Sequence, residues 1–243
     1  MAHSTINESS PMPPLSYRKA FLEHLEKSKR SNWEGKEFYK PGDIITWLDA
    51  NTLDESYSNV VGLVAAVYKG EGFLPRMREL QSPSYLLVFA TLLHPDVNCG
   101  HLIHVFQQCN LSDSRLDLQD LSSFYDSILK DMKAERPQPP LPGAYAEQDY
   151  TAVIRAFDKT RWAFCPATLD LYMGTSFPCA SYVLPFLQGD VVNRKGGTAN
   201  VHHYKIQVDL VESEGLKRAL ESSGHKDPKF GWVSLSAIAS HTT

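Results

Sequence analysis

The stretch "HPDVNCGHLIHVFQQC" brings His94, Cys99, His101, His104 and Cys109 together within sixteen residues. On a helix, His101 and His104 share a face, and two imidazoles at i and i+3 can reach one zinc ion. Neither a CxxC pair nor an HExxH sequence accompanies them, while Leu102, Ile103 and Phe106 claim the inward face. A half-buried helix with ordinary histidines explains the pattern better; a His/Cys metal-binding module stays as the weaker alternative, because spacing alone is a poor signal for metal.

Nucleophilic and acid–base chemistry have thinner support. Cys165 in "RWAFCPA" stands beside aromatic residues, with nothing around it that would lower a thiol pKa, so a core position is expected. No G-x-S-x-G elbow occurs in the chain. Asp113, Asp117 and Asp120 in "SDSRLDLQD" precede an apolar periodic segment, where Asp and Ser are expected as helix caps. No catalytic residue and no metal ligand is assigned on these grounds.

A glycine pair offers a different chemistry. In "NRKGGTANVHHYKIQV", residues 193–208, Gly196-Gly197 separates two β-like runs. The ATP loop of protein kinases reads G-x-G-x-x-G-x-V, its glycines letting backbone amides approach the phosphates. Anchored on Val201, that pattern places Gly196 at the second glycine, Ala199 at the third and Arg194 at the first, with Gly197 as an extra. Gly196, Gly197, Ala199 and Val201 therefore form a degenerate ATP-binding candidate, against the ordinary alternative of a hairpin turn.

The elements that must carry these residues are mostly helices. Residues 1–15 are Ser/Pro-rich and expected to be disordered. From Ser16, Tyr17, Phe21, His24 and Leu25 fall on one helical face, and "RSNWEG" ends that helix. A short helix is expected after Pro41-Gly42 and a longer apolar one from about Glu55, punctuated by Gly70 and Gly72. "SPSYLLVFATLLHP" should be the most buried segment, with Ser82 as N-cap, Pro83 in the first turn and Pro95 as the stop. Helices over 99–109 and 117–133 follow, the second carrying Leu118, Leu121, Tyr125, Ile128 and Met132 at helical spacing.

The pattern changes after the proline-rich stretch 135–145, "ERPQPPLPGAY", which is expected to be a linker. "EQDYTAVIRAFDKT" makes one more helix, with Tyr150, Val153, Ile154 and Phe157 inward, and "RWAFCPATLDLYM" reads as extended. Tyr204, Ile206, Val208 and Leu210 then alternate with His203, Lys205, Gln207 and Asp209, a two-residue period. "SYVLPFLQGDVV" supplies the partner strand. The expected fold is mainly α (α+β): a helical domain over 16–134, the linker, a helix and extended segment over 146–183, a hairpin over 184–211, and a poorly defined tail over 212–243. A lone hairpin is marginal in water, so the helical layer should cover its Tyr204/Ile206/Val208 face.

Composition bounds the function. Hydrophobic residues make up 42% of the 243 residues and aromatics 11%, which suits a packed globular chain. A formal net charge of −4 gives no electrostatic case for nucleic acid, and no apolar run reaches the roughly 20 residues that span a bilayer. The four cysteines are widely spaced, and the N-terminus lacks the charged and apolar regions of a secretory signal. A soluble protein of the cytoplasm or nucleus is expected, with the sequons at Asn7 and Asn110 as chance matches.

Taken in order, "FYKPGDIITWL", "LIHVFQQCNLSDSRLDL", "RWAFCPA" and "VLPFLQGDVVNRKGGTANVHHYKIQV" resemble fungal protein-kinase-like proteins. In that group a helical region of similar length precedes an "LPF … GG … V-Y-K-V-x-I" strand–turn–strand that opens the kinase domain. Leu184-Pro185-Phe186, Gly196-Gly197, Val201 and Tyr204-Lys205-Ile206 carry the match, which covers about residues 37–210. The resemblance implies a regulatory or interaction region with only the first strands of a kinase N-lobe, engaging a protein partner of unknown identity. ATP would be a cofactor only in a full-length kinase form. Phosphoryl transfer also needs an HRD-type loop and a DFG-type aspartate. Neither occurs after residue 210: "DPKFGW" has Lys229 at the Asp position, and neither Lys217 nor Lys229 sits in a VAIK-like run. The abrupt change in "GWVSLSAIASHTT", with Val233-Ser234 compatible with an intron donor, points to intron read-through or a truncated paralogue. A fragment of an ATP-dependent Ser/Thr kinase is accordingly the alternative function.

Overall fold

A computed structural model describes residues 14–53, 57–68, 75–81, 84–134, 149–169, 181–184, 186–193, 199–222, 226–227 and 232–240. The fold is mainly helical with a smaller antiparallel sheet. The chain divides into two compact units that interleave in sequence. The first takes residues 1–28, 41–115 and 122–157; the second takes 29–40, 116–121 and 158–243.

Among the described residues, the regular elements of the first unit are all helices. Helix α1 (Pro14–Ser28) buries Tyr17, Phe21 and Leu25, residues four apart that share one stripe, as their spacing predicts. Helix α2 (Pro41–Asp49) buries Ile44 and Leu48. Helix α3 (Asn59–Val67) approaches α1 so closely that a Cβ added at Gly62 would overlap the Tyr17 ring. Only glycine permits that crossing. Fully buried Asn59 ties the preceding loop down: its Nδ2 donates to the Trp47 carbonyl and to Thr52 Oγ1, both at 2.7 Å.

Helix α4 (Met77–Gln81) leads to α5 (Leu86–Leu93), in which all eight residues are buried. No amphipathic stripe exists there because every face meets protein, and each large apolar side chain so removed from water contributes about 1.5–3 kcal/mol. Ser82 and Pro83, expected as its cap and first residue, lie outside the described residues. A 3₁₀ turn at Gly100–Leu102 enters α6 (Ile103–Gln108). Fully buried Gln107 returns both ends of its amide to one residue, accepting from Arg76 N at 2.8 Å and donating to Arg76 O at 3.2 Å. Helix α7 (Ser122–Ala134) buries Ile128 and Met132. It starts five residues later than the spacing predicts: Leu118 lies outside the helix and is 44% exposed.

Helix α8 (Tyr150–Phe164) runs from the first unit into the second, and Val153, Ile154 and Phe157 are buried as expected. Its end corrects an expectation. Arg161–Phe164, expected as the start of an extended segment, form the last turn, and Pro166 prevents continuation. Residues 170–180 and the linker 135–145 lie outside the described residues.

The second unit begins with a two-residue ladder, β1 (Arg30–Ser31) against β2 (Glu37–Phe38), around a turn in which Gly35 has φ +78°. Buried Asn32 organises the turn: its Oδ1 accepts from Glu34 N at 3.0 Å and Lys36 N at 2.9 Å. Trp33 N then donates to Phe186 O at 2.8 Å, at the head of β3 (Phe186–Asn193). β3 pairs antiparallel with β4 (Ala199–Gln207), giving the expected hairpin. The alternation stops sooner than predicted, since Val208–Leu210 form a 3₁₀ turn.

The tail, for which no defined structure was expected, carries α9 (Glu214–Ser222), β5 (Lys226–Asp227) and β6 (Trp232–Ser240). β6 pairs with β4 over nine consecutive residues, and the sheet order is β3-β4-β6-β5. Ile206, Leu169, Val211 and Leu220 form one core cluster, with Phe186, Val208 and Leu216 packed on it. The cover that the hairpin requires thus includes Leu216 and Leu220 from α9, a helix that the weak apolar pattern after residue 212 did not signal. Phe38, Trp162, Val183 and Leu210 form a second cluster.

Candidate functional site

Of the candidate nucleotide-loop residues, Gly196 and Gly197 lie outside the described residues. Ala199 opens β4 opposite Ser240 of β6, and Val201 lies in register with Asn193 of β3 and Ile238 of β6. Phe186 and Ile206, from the "LPF" and "YKI" segments, are partners in the β3–β4 ladder. Lys217 is on α9, where its ammonium meets Glu214 Oε1 at 2.7 Å. That pair spends it on its own helix face. Lys229 is outside the described residues.

The histidine and cysteine set is distributed among internal bonds. His104 is nearly buried; its Nδ1 lies 2.9 Å from the Tyr68 hydroxyl and 2.9 Å from the His101 carbonyl. The Tyr68 hydroxyl donates to that same carbonyl at 2.6 Å. His94 Nδ1 accepts from Asp96 N at 3.3 Å, Cys99 is buried, and Cys109 Sγ donates to Asp131 Oδ2 at 3.5 Å. Among the described residues, no three His, Cys, Asp or Glu side chains converge as metal ligands would.

Cys165 is held as a thiol. Its Sγ donates to Arg161 O at 3.1 Å and to Leu116 O at 3.4 Å. Burial pushes the group up to about 12, and Asp117 adds to that, against the lowering effect of Arg161. A thiolate at neutral pH is what nucleophilic chemistry needs, and this environment opposes it.

Two charged residues stand out by position. Asp113 sits in a 3₁₀ turn (Asp113–Arg115), yet the helix it caps is α5, twenty-odd residues earlier in the chain. Its carboxylate accepts from Leu87 N at 3.0 Å and Val88 N at 2.9 Å, and its own N–H donates to Ser84 O at 2.8 Å. Capping was the expected role, but for the helix that follows. Burial raises the Asp113 carboxyl to about 6, while the backbone bonds from Leu87, Val88 and Leu86 pull it down. Asp117 and Asp120 are exposed.

Arg161 is the second, and the sequence did not single it out. It is only 1% exposed. Its Nε donates to Asp158 Oδ1 at 2.8 Å, a guanidinium N–H donates to the Leu116 carbonyl, and its Cζ lies 3.9 Å from the centroid of the Trp162 ring. The i,i+3 spacing to Asp158 was its only advance signal. Both residues bind the chain to itself: Asp113 joins 84–88 to 113, and Arg161 joins α8 to 116.

Comparison with known proteins returns nothing: no family model matches the chain, and no curated protein or solved structure matches it significantly. Among the described residues, no helix is long and apolar enough to cross a membrane.

Proposed function

We propose that this chain is the non-catalytic regulatory and interaction region of a protein-kinase-like protein, its helices engaging a protein partner or the kinase lobe itself. The observation that carries the reading is the β3–β4 strand pair. It sets Phe186 of the "LPF" segment opposite Ile206 of the "YKI" segment, on either side of the Gly196-Gly197 sequence. The proposed role is non-catalytic because these 243 residues hold neither an HRD-type base nor a DFG-type metal ligand. The internal bonds of Cys165, His104 and Asp113 agree with a scaffold role.

Titration of the purified chain with Mg-ATP, followed by calorimetry, tests the proposal. The expected result is no saturable heat, the same for wild type and a Gly196→Val/Gly197→Val double variant. Saturable binding by wild type that the double variant loses would overturn it and favour an ATP-binding kinase fragment.

A further inference from the structure

We draw no further inference here: the strongest candidate, the largely buried Asp113 carboxylate that holds the start of α5 through Leu87 N and Val88 N, rests as a pH-sensitive latch on its raised titration alone.

Discussion

Asp113 in the first unit and Arg161 in the second are both charged groups taken largely out of water, and they are satisfied by different means. Asp113 receives backbone N–H groups from the start of α5, with neutral partners at both oxygens. Arg161 receives a counter-ion, a carbonyl and an aromatic face. Amide donors alone do not offset burial of the carboxylate, and its titration is carried up to about 6. The guanidinium has no such outlet because it stays charged at any biological pH, so its surroundings must supply the compensation. A buried acid can surrender its charge; a buried arginine must be housed.

The contrast can be broken first at Arg161. Arg161→Ala removes the stronger of two donors to the Leu116 carbonyl, the cover over Trp162 and a packed aliphatic stem, and is expected to destabilise the protein by about 3 kcal/mol in urea denaturation. A loss under about 1 kcal/mol would mean the site collapses without cost. The titration of Asp113 comes next. Its folded value lies above that of the unfolded chain, so its contribution is fully present below about pH 4 and lost as pH rises through about 6. Asp113→Asn should remove up to about 3 kcal/mol of pH dependence across that window, seen as a flatter plot of stability against pH. Carbon-13 NMR of the carboxyl would show directly whether it titrates near 6.

Asp113→Ala takes away the cap as well. It is expected to cost about 1–2 kcal/mol at neutral pH and more as pH falls, because wild type gains stability in that direction and the variant does not. The smallest effect belongs to Asp158→Asn. The Asp158 side chain is 46% exposed, and water screens the ion pair, so a change of at most about 1 kcal/mol is expected. If it instead matched Arg161→Ala, the ion pair rather than the carbonyl and ring would be what houses the arginine.

Local periodicity made much of the helical fold legible. The stripes of Tyr17, Phe21 and Leu25 on α1 and of Val153, Ile154 and Phe157 on α8 are buried as their spacing predicts. The wholly apolar α5 was also marked in advance as the most buried segment. What escaped depends on partners distant in sequence. Trp162 and Phe164 belong to a residue class enriched in strands, yet they continue a helix begun at Tyr150. β6 pairs along its whole length with β4, a strand well separated from it in sequence, and no short-range pattern marks that partnership. Asp113 was expected to cap its own neighbourhood, and nothing local indicates that α5 is its target. Of the candidate nucleotide loop, sequence marked the strands on either side, and Ala199 and Val201 fall in one of them.

The interleaving of the two units has a consequence for synthesis on the ribosome. The β1–β2 ladder emerges within the first forty residues, but the rest of its unit comes from 116–121 and 158–243. A two-residue ladder is not stable alone. At about 5–20 residues per second, roughly 10–40 s pass before the strand ending at Ser240 is made. During that interval Phe38 and Trp33 wait for the groups they will later meet, Trp162 and Leu210 for one and Phe186 for the other. Burial of Phe38 is therefore delayed until the C-terminal part of its unit has been made, and slowing of translation after the α8 codons would lengthen that delay.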